Sequence, residues 1–94
     1  MKHAGAEALA ALAPLLAQLR NLPGLTERKP GIFYRGGGAF MHFHEDPSGL
    51  FADLKQRGTF VRWPVASAAH RKALLAAARA ECASPRTPKA GVTA

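Results

Sequence analysis

The sequence predicts an α+β fold: a four-stranded antiparallel meander with an N-terminal and a C-terminal helix on one face, in the order α-β-β-β-β-α. Three observations predict it. Leucines recur at helical spacing near the start of the 94-residue chain. Short runs rich in β-formers, punctuated by Gly and Pro turns, fill the middle. An alanine-rich segment with a second apolar stripe follows them.

Over residues 6–21, Leu9, Leu12, Leu15, Leu16 and Leu19 fall on one helical stripe. Pro14 lies almost opposite that stripe, where a bend is tolerable, so one kinked helix is expected. Leu22-Pro23-Gly24 ends it, and residues 25–31, "LTERKPG", read as a polar connector. "IFYR", residues 32–35, reads as the first strand, and Gly36-Gly37-Gly38 as its turn. The second strand, residues 39–45, stops at Asp46-Pro47-Ser48-Gly49, which has the Asp, Pro and Gly of a tight turn in order. "LFADLKQ", residues 50–56, is the third strand, and Arg57-Gly58 turns the chain into "TFVRWPV", residues 59–65. Pro64 marks that fourth strand as an edge or a strand end. Ser67 caps a helix from 68 to about 82 with Leu74, Leu75, Ala78 and Cys82 on its apolar face. Residues 1–83 therefore form the single domain, and the Pro-rich tail, residues 84–94, is predicted to be disordered.

Composition narrows the function. Thirteen basic residues against six acidic ones give a formal charge of +7, which attracts polyanions, nucleic acid among them. The lone Cys82 excludes an intramolecular disulfide and a multi-cysteine zinc site, and a reducing cytoplasm fits it best. The leucine-rich start carries Glu7 and reads as an amphipathic helix, not as a signal peptide. No run approaches the roughly 18 apolar residues of a membrane span.

The stretch "AFMHFHEDPSG" carries the functional question, and strand register answers it. A loop at residues 46–49 pairs Glu45 with Leu50, His44 with Phe51, Phe43 with Ala52, His42 with Asp53 and Met41 with Leu54. One side of the hairpin is then uniformly apolar: Met41, Phe43, Leu50, Ala52 and Leu54. The other carries Phe40, His42, His44, Phe51, Asp53 and Lys55 and stays open. A two-residue turn at Gly37-Gly38 sends Ile32 and Tyr34 to the core and sets Phe33 and Arg35 beside the histidines; a three-residue turn reverses this, and the first arrangement keeps Arg35 out of the core.

Four chemistries compete for that open face. Exposed Phe40 and Phe51 form an apolar patch that a monomer should not tolerate, which favours a protein partner or a homodimer, by pairing faces or adding strands at an edge. Aromatics beside Arg35 and Lys55 suit stacked bases and phosphates, hence nucleic acid. A His-x-His pair on a strand aims both imidazoles the same way, about 7 Å apart at Cα. With Asp53 opposite His42 it offers zinc or another transition metal the ligand set His42, His44 and Asp53. A His beside a carboxylate also suits acid–base catalysis, but no nucleophile accompanies it: Ser48 is a turn residue and Cys82 lies on an apolar helix face. No catalytic residue is therefore assigned. The expected function is a non-enzymatic binding or self-association module, with nucleic-acid binding and a metal site as alternatives. The glycine triplet joins two strands and opens no helix, so it is not a phosphate loop.

The segment "GIFYRGGGAFMHFHEDPSGLFADLK" resembles a group of short bacterial α+β proteins that share an FY…AF-x-HFHED…G-x-x-AD core. The matching residues are Phe33, Tyr34, Ala39, Phe40, His42, Phe43, His44, Glu45, Asp46, Gly49, Ala52 and Asp53. That group has no assigned activity, so the resemblance implies no catalytic residue. The order helix, "LPG", strands, helix is also similar to the MmcQ/YjbR-type α+β domains, which implies a link to DNA binding through topology alone.

Overall fold

The computed structural model describes residues 2–83; the tail expected to be disordered lies outside them. The fold is α+β with an antiparallel sheet, but the sheet has six strands, not four. In chain order the elements are β1 (Lys2–His3), α1 (Ala6–Ala11), α2 (Ala13–Arg20), β2 (Leu25–Lys29), β3 (Ile32–Arg35), β4 (Gly38–Asp46), β5 (Gly49–Gln56), β6 (Thr59–Pro64) and α3 (Ala68–Ala83). The sheet runs β2-β3-β4-β5-β6, and β1 pairs with the far end of β4. No helix among the described residues is long and apolar enough to cross a membrane.

The leucine stripe forms two helices where one kinked helix was expected. The break falls at Leu12 and puts Pro14 in the first turn of α2. There its missing N–H has no intrahelical carbonyl to bond, so the break removes the penalty a mid-helix proline would carry. Arg71 fastens the break: its guanidinium donates to Val65 O at 2.8 Å and to Ala11 O at 3.4 Å. Ser67 caps α3 as expected, its Oγ accepting from the His70 N–H at 3.1 Å.

The segment read as a polar connector is β2. Its Glu27 carboxylate accepts from Arg20 and from the Gly31 N–H, which ties this charged strand to α2 and to the turn into β3. At Gly31 the backbone is left-handed, with φ +76°, and an added Cβ would stand 2.8 Å from Leu9 Cδ2. Only glycine fits both demands without strain.

One apolar face of the sheet lies under the helices. Phe33, Met41, Phe43, Ala52 and Leu54 from the strands meet Leu12, Leu15, Leu16 and Leu19 from the N-terminal helices and Leu74, Leu75 and Ala78 from α3 in one buried cluster.

Two expectations for the β3–β4 hairpin are corrected here. The turn is Gly36-Gly37, both with positive φ, and it pairs Arg35 with Gly38. A β-bulge then intervenes: Tyr34 pairs with Ala39 but Phe33 pairs with Met41, so Phe40 is an extra residue in β4. A bulge breaks alternation and sends two successive side chains the same way. Phe33 therefore enters the core, and Phe40, expected on the open face, is 2% exposed within it. Arg35, expected beside the histidines, donates instead to the Glu81 and Cys82 carbonyls at the end of α3, at 2.9 and 3.3 Å.

Candidate metal centre

The hairpin of β4 and β5 has the register that alternation predicts, from Met41 with Leu54 to Glu45 with Leu50, closed by Asp46 with Gly49. Asp46 Oδ2 accepts from the N–H and hydroxyl of Ser48, which locks the turn. Because Met41 and Phe43 go under the helices, His42 and His44 emerge on the other side.

A third imidazole joins them. Strand β1 pairs Lys2 with Glu45 and His3 with His44, which brings His3 onto the same face. Two further bonds hold it. The Ala4 N–H donates to Phe43 O at 3.0 Å, and the Gly5 N–H donates to Glu45 Oε2. The His3 ring stacks on His44 at 5.2 Å, and the His42 ring stands edge-on to His44 at 4.7 Å. One nitrogen of each of the three rings lies within 4.8 Å of the others.

Asp53 completes the cluster from β5. Its Oδ2 lies 3.1 Å from His44 Nε2, so the carboxylate meets His44 and not His42, its cross-strand partner. Arg62, opposite Asp53 on β6, donates to both carboxylate oxygens at 2.8 and 3.0 Å. His44 and Asp53 are each only 9% exposed, an unusual depth for polar groups on the uncovered side of a sheet. Around them stand Phe60, its ring 5.2 Å from His42, and Lys55, whose ammonium lies over the Phe60 ring. Phe51 is half-buried across from His44.

The electrostatics favour neutral imidazoles. Burial pushes the pKa of His42 down, and the neighbouring His44 adds to it. Burial also lowers His44, against the opposing pull of Asp53. The Arg62 hydrogen bond holds the Asp53 carboxyl below the ordinary carboxylate range. Both shifts favour the uncharged ring at His42 and His44, the form that ligates metals.

His42 Nδ1 lies 2.6 Å from His44 Nε2, so one of the two carries a proton. His44 Nδ1 is buried and has no hydrogen-bond partner among the described residues. An N–H left there would be costlier than a lone pair, which places the His44 proton on Nε2, between Asp53 and His42. Nitrogens each about 2.0–2.1 Å from one tetrahedral ion stand roughly 3.3 Å apart. The His42–His44 gap of 2.6 Å is shorter than this, so the two rings would have to part to seat an ion.

Of the residues expected at the site, His42, His44 and Asp53 come together, and Lys55 and Phe51 border them. Phe40 and Arg35 lie elsewhere. His3 was not anticipated: a two-residue strand has no periodicity to announce it. The chain matches no protein-family model, no curated protein and no solved structure.

Proposed function

We propose that this protein is a small binding domain that holds one transition-metal ion, of the zinc or copper class, on the open face of its sheet. His3, His42 and His44 are the ligands; in the metal-free protein Asp53, gripped by Arg62, holds the same His44 Nε2 that the ion would take. The observation that carries this reading is the convergence of three imidazoles from two separate strands, with ring nitrogens within 4.8 Å of one another. An all-imidazole set suits zinc, copper or nickel and not the oxygen-seeking magnesium or calcium. Three protein ligands leave a further coordination position for water or an exogenous donor.

Affinity is tempered by His44. Loading an ion on Nε2 moves the ring proton to Nδ1, which has no acceptor. That costs about 1–3 kcal/mol and weakens the site by roughly 5- to 150-fold against a fully satisfied one. Binding of tag-free protein to zinc chloride, followed by calorimetry at neutral pH, is expected to saturate at one ion per chain. His42→Ala is expected to weaken binding by about 100-fold. No heat of binding to zinc, copper or nickel, or an unchanged isotherm for His42→Ala, would reject the proposal.

A further inference from the structure

We infer that a second copy of this chain docks along β6, joining the two sheets edge to edge about a two-fold axis. This goes beyond metal binding and does not depend on it. The two edges of the sheet differ in kind. Edge β2 is blunted: it carries Glu27, Arg28 and Lys29, and a β-bulge interrupts its pairing between Glu27 and Lys29. Charges, bulges and prolines are devices that keep sheet edges from pairing. Edge β6 carries no bulge and no run of charge, its one proline is its last residue, and it pairs without interruption with β5 from Thr59 to Pro64. It also bears the exposed large apolar residues of the described chain, Phe60 at 42% and Val61 at 41%, on opposite faces of the strand.

Backbone direction fixes how two copies would meet. The two-residue Arg57-Gly58 turn pairs Thr59 with Gln56, and Val65 N–H donates to Leu50 O at 2.9 Å. In an antiparallel ladder the groups of alternate residues point the same way. Thr59, Val61, Trp63 and Val65 thus direct theirs to β5, while Phe60, Arg62 and Pro64 direct theirs outward. Pro64 has no N–H, so the outward donors of this strand are Phe60 and Arg62.

One antiparallel register uses both. With Val61 on the axis, Phe60 pairs with Arg62 of the partner subunit and Arg62 with Phe60 of the partner subunit, and each pair exchanges two hydrogen bonds. Shifting the axis to Arg62 sets two guanidinium groups opposite each other and faces Phe60 with the donor-less proline. Shifting it to Phe60 moves Arg62 against the hairpin turn. The chosen register also covers both Val61 side chains. One short strand is a small seam by the standard of specific interfaces, so the dimer is concentration-dependent.

Sedimentation equilibrium of the full chain, in buffer containing a chelator, is the test. The mass is expected to rise from one chain to two as concentration increases. Val61→Lys opposes two like charges across the axis and is expected to stay at one chain throughout, with an unchanged circular dichroism spectrum. Val61 faces away from the imidazoles, so this outcome is independent of the metal. In a Cys82→Ala background, Val61→Cys is expected to form an intermolecular disulfide on oxidation, because directly opposed non-hydrogen-bonded residues have Cα atoms about 4.5 Å apart. Thr59→Cys, far from its own twin, is expected not to. A parent chain that stays single at every concentration, a Val61→Lys variant that dimerises like the parent, or equal cross-linking at both cysteine positions would overturn the inference.

Discussion

Replacing His3 by alanine separates the metal reading from a structural role for the histidine cluster. His3 is exposed, and its ring stacks on His44. A surface change of this kind moves stability by within about 0.5 kcal/mol, so the metal-free variant should melt close to the parent. Zinc should then divide them. At free zinc about a thousandfold above the dissociation constant, binding to the folded state adds about 4.1 kcal/mol. Removing a group that merely orients a ligand loses 10- to 100-fold in affinity, so losing a ligand itself is set at about 100-fold. That is about 2.7 kcal/mol, which leaves the variant about 1.4 kcal/mol of stabilisation at the same zinc concentration. A domain of this size shifts its midpoint by roughly 4–8 °C per kcal/mol, so the two should differ by about 11–22 °C in zinc. Differential scanning fluorimetry with zinc and with chelator reads both arms. If zinc raises both midpoints equally, His3 is not a ligand. If the variant already melts far lower in chelator, the cluster is structural and the reasoning fails.

Gly31→Ala should destabilise the fold by about 1–2 kcal/mol, measured by urea unfolding, because its backbone is left-handed and the new methyl displaces Leu9. The metal-free protein should lose stability as pH falls. His42 and His44 have folded pKa values below the ordinary 6.5, so the unfolded chain takes up protons first; the contribution is intact above 6.5 and is lost as pH falls through the depressed folded values. Urea midpoints from pH 8 to pH 5 check this, and His42→Gln should flatten the slope. Arg62→Ala should raise the Asp53 pKa toward the ordinary carboxylate value, read by carboxyl carbon NMR, since the Arg62 hydrogen bond is the chief cause of its depression. Ser67→Ala should cost about 0.5–2 kcal/mol through loss of the α3 cap, again by urea unfolding.

Where sequence reading succeeded, the signal was local and redundant. Alternation in residues 41–45 and in residues 50–54 specifies the same face independently, and the Asp-Pro-Ser-Gly turn fixes their phase, so the His42, His44 and Asp53 side of the sheet could be read directly. Sequence reading missed features where stability comes from partners distant in sequence. Residues 25–29 are polar enough to pass for a connector, and they become a strand because β3 offers them an edge and Arg20 holds Glu27. His3 reaches the cluster only because Glu45 and Phe43 tether the start of the chain. A bulge has no mark of its own in the residues around Phe40, and strict alternation fails there without warning. For the proline helix, the stripe was right and the continuity was not, since backbone hydrogen bonding and not hydrophobic phase decides where a helix breaks.

The extra residue at Phe40 also separates two halves of one strand. Before it, β4 keeps step with the glycine hairpin; after it, β4 keeps step with β5. The kink acts as a slip joint, so lengthening or trimming the Gly36-Gly37 loop would be taken up there without turning His42 or His44 to the other side. That loop is accordingly the place to graft a foreign sequence, such as a reporter epitope, while leaving the imidazoles where they are.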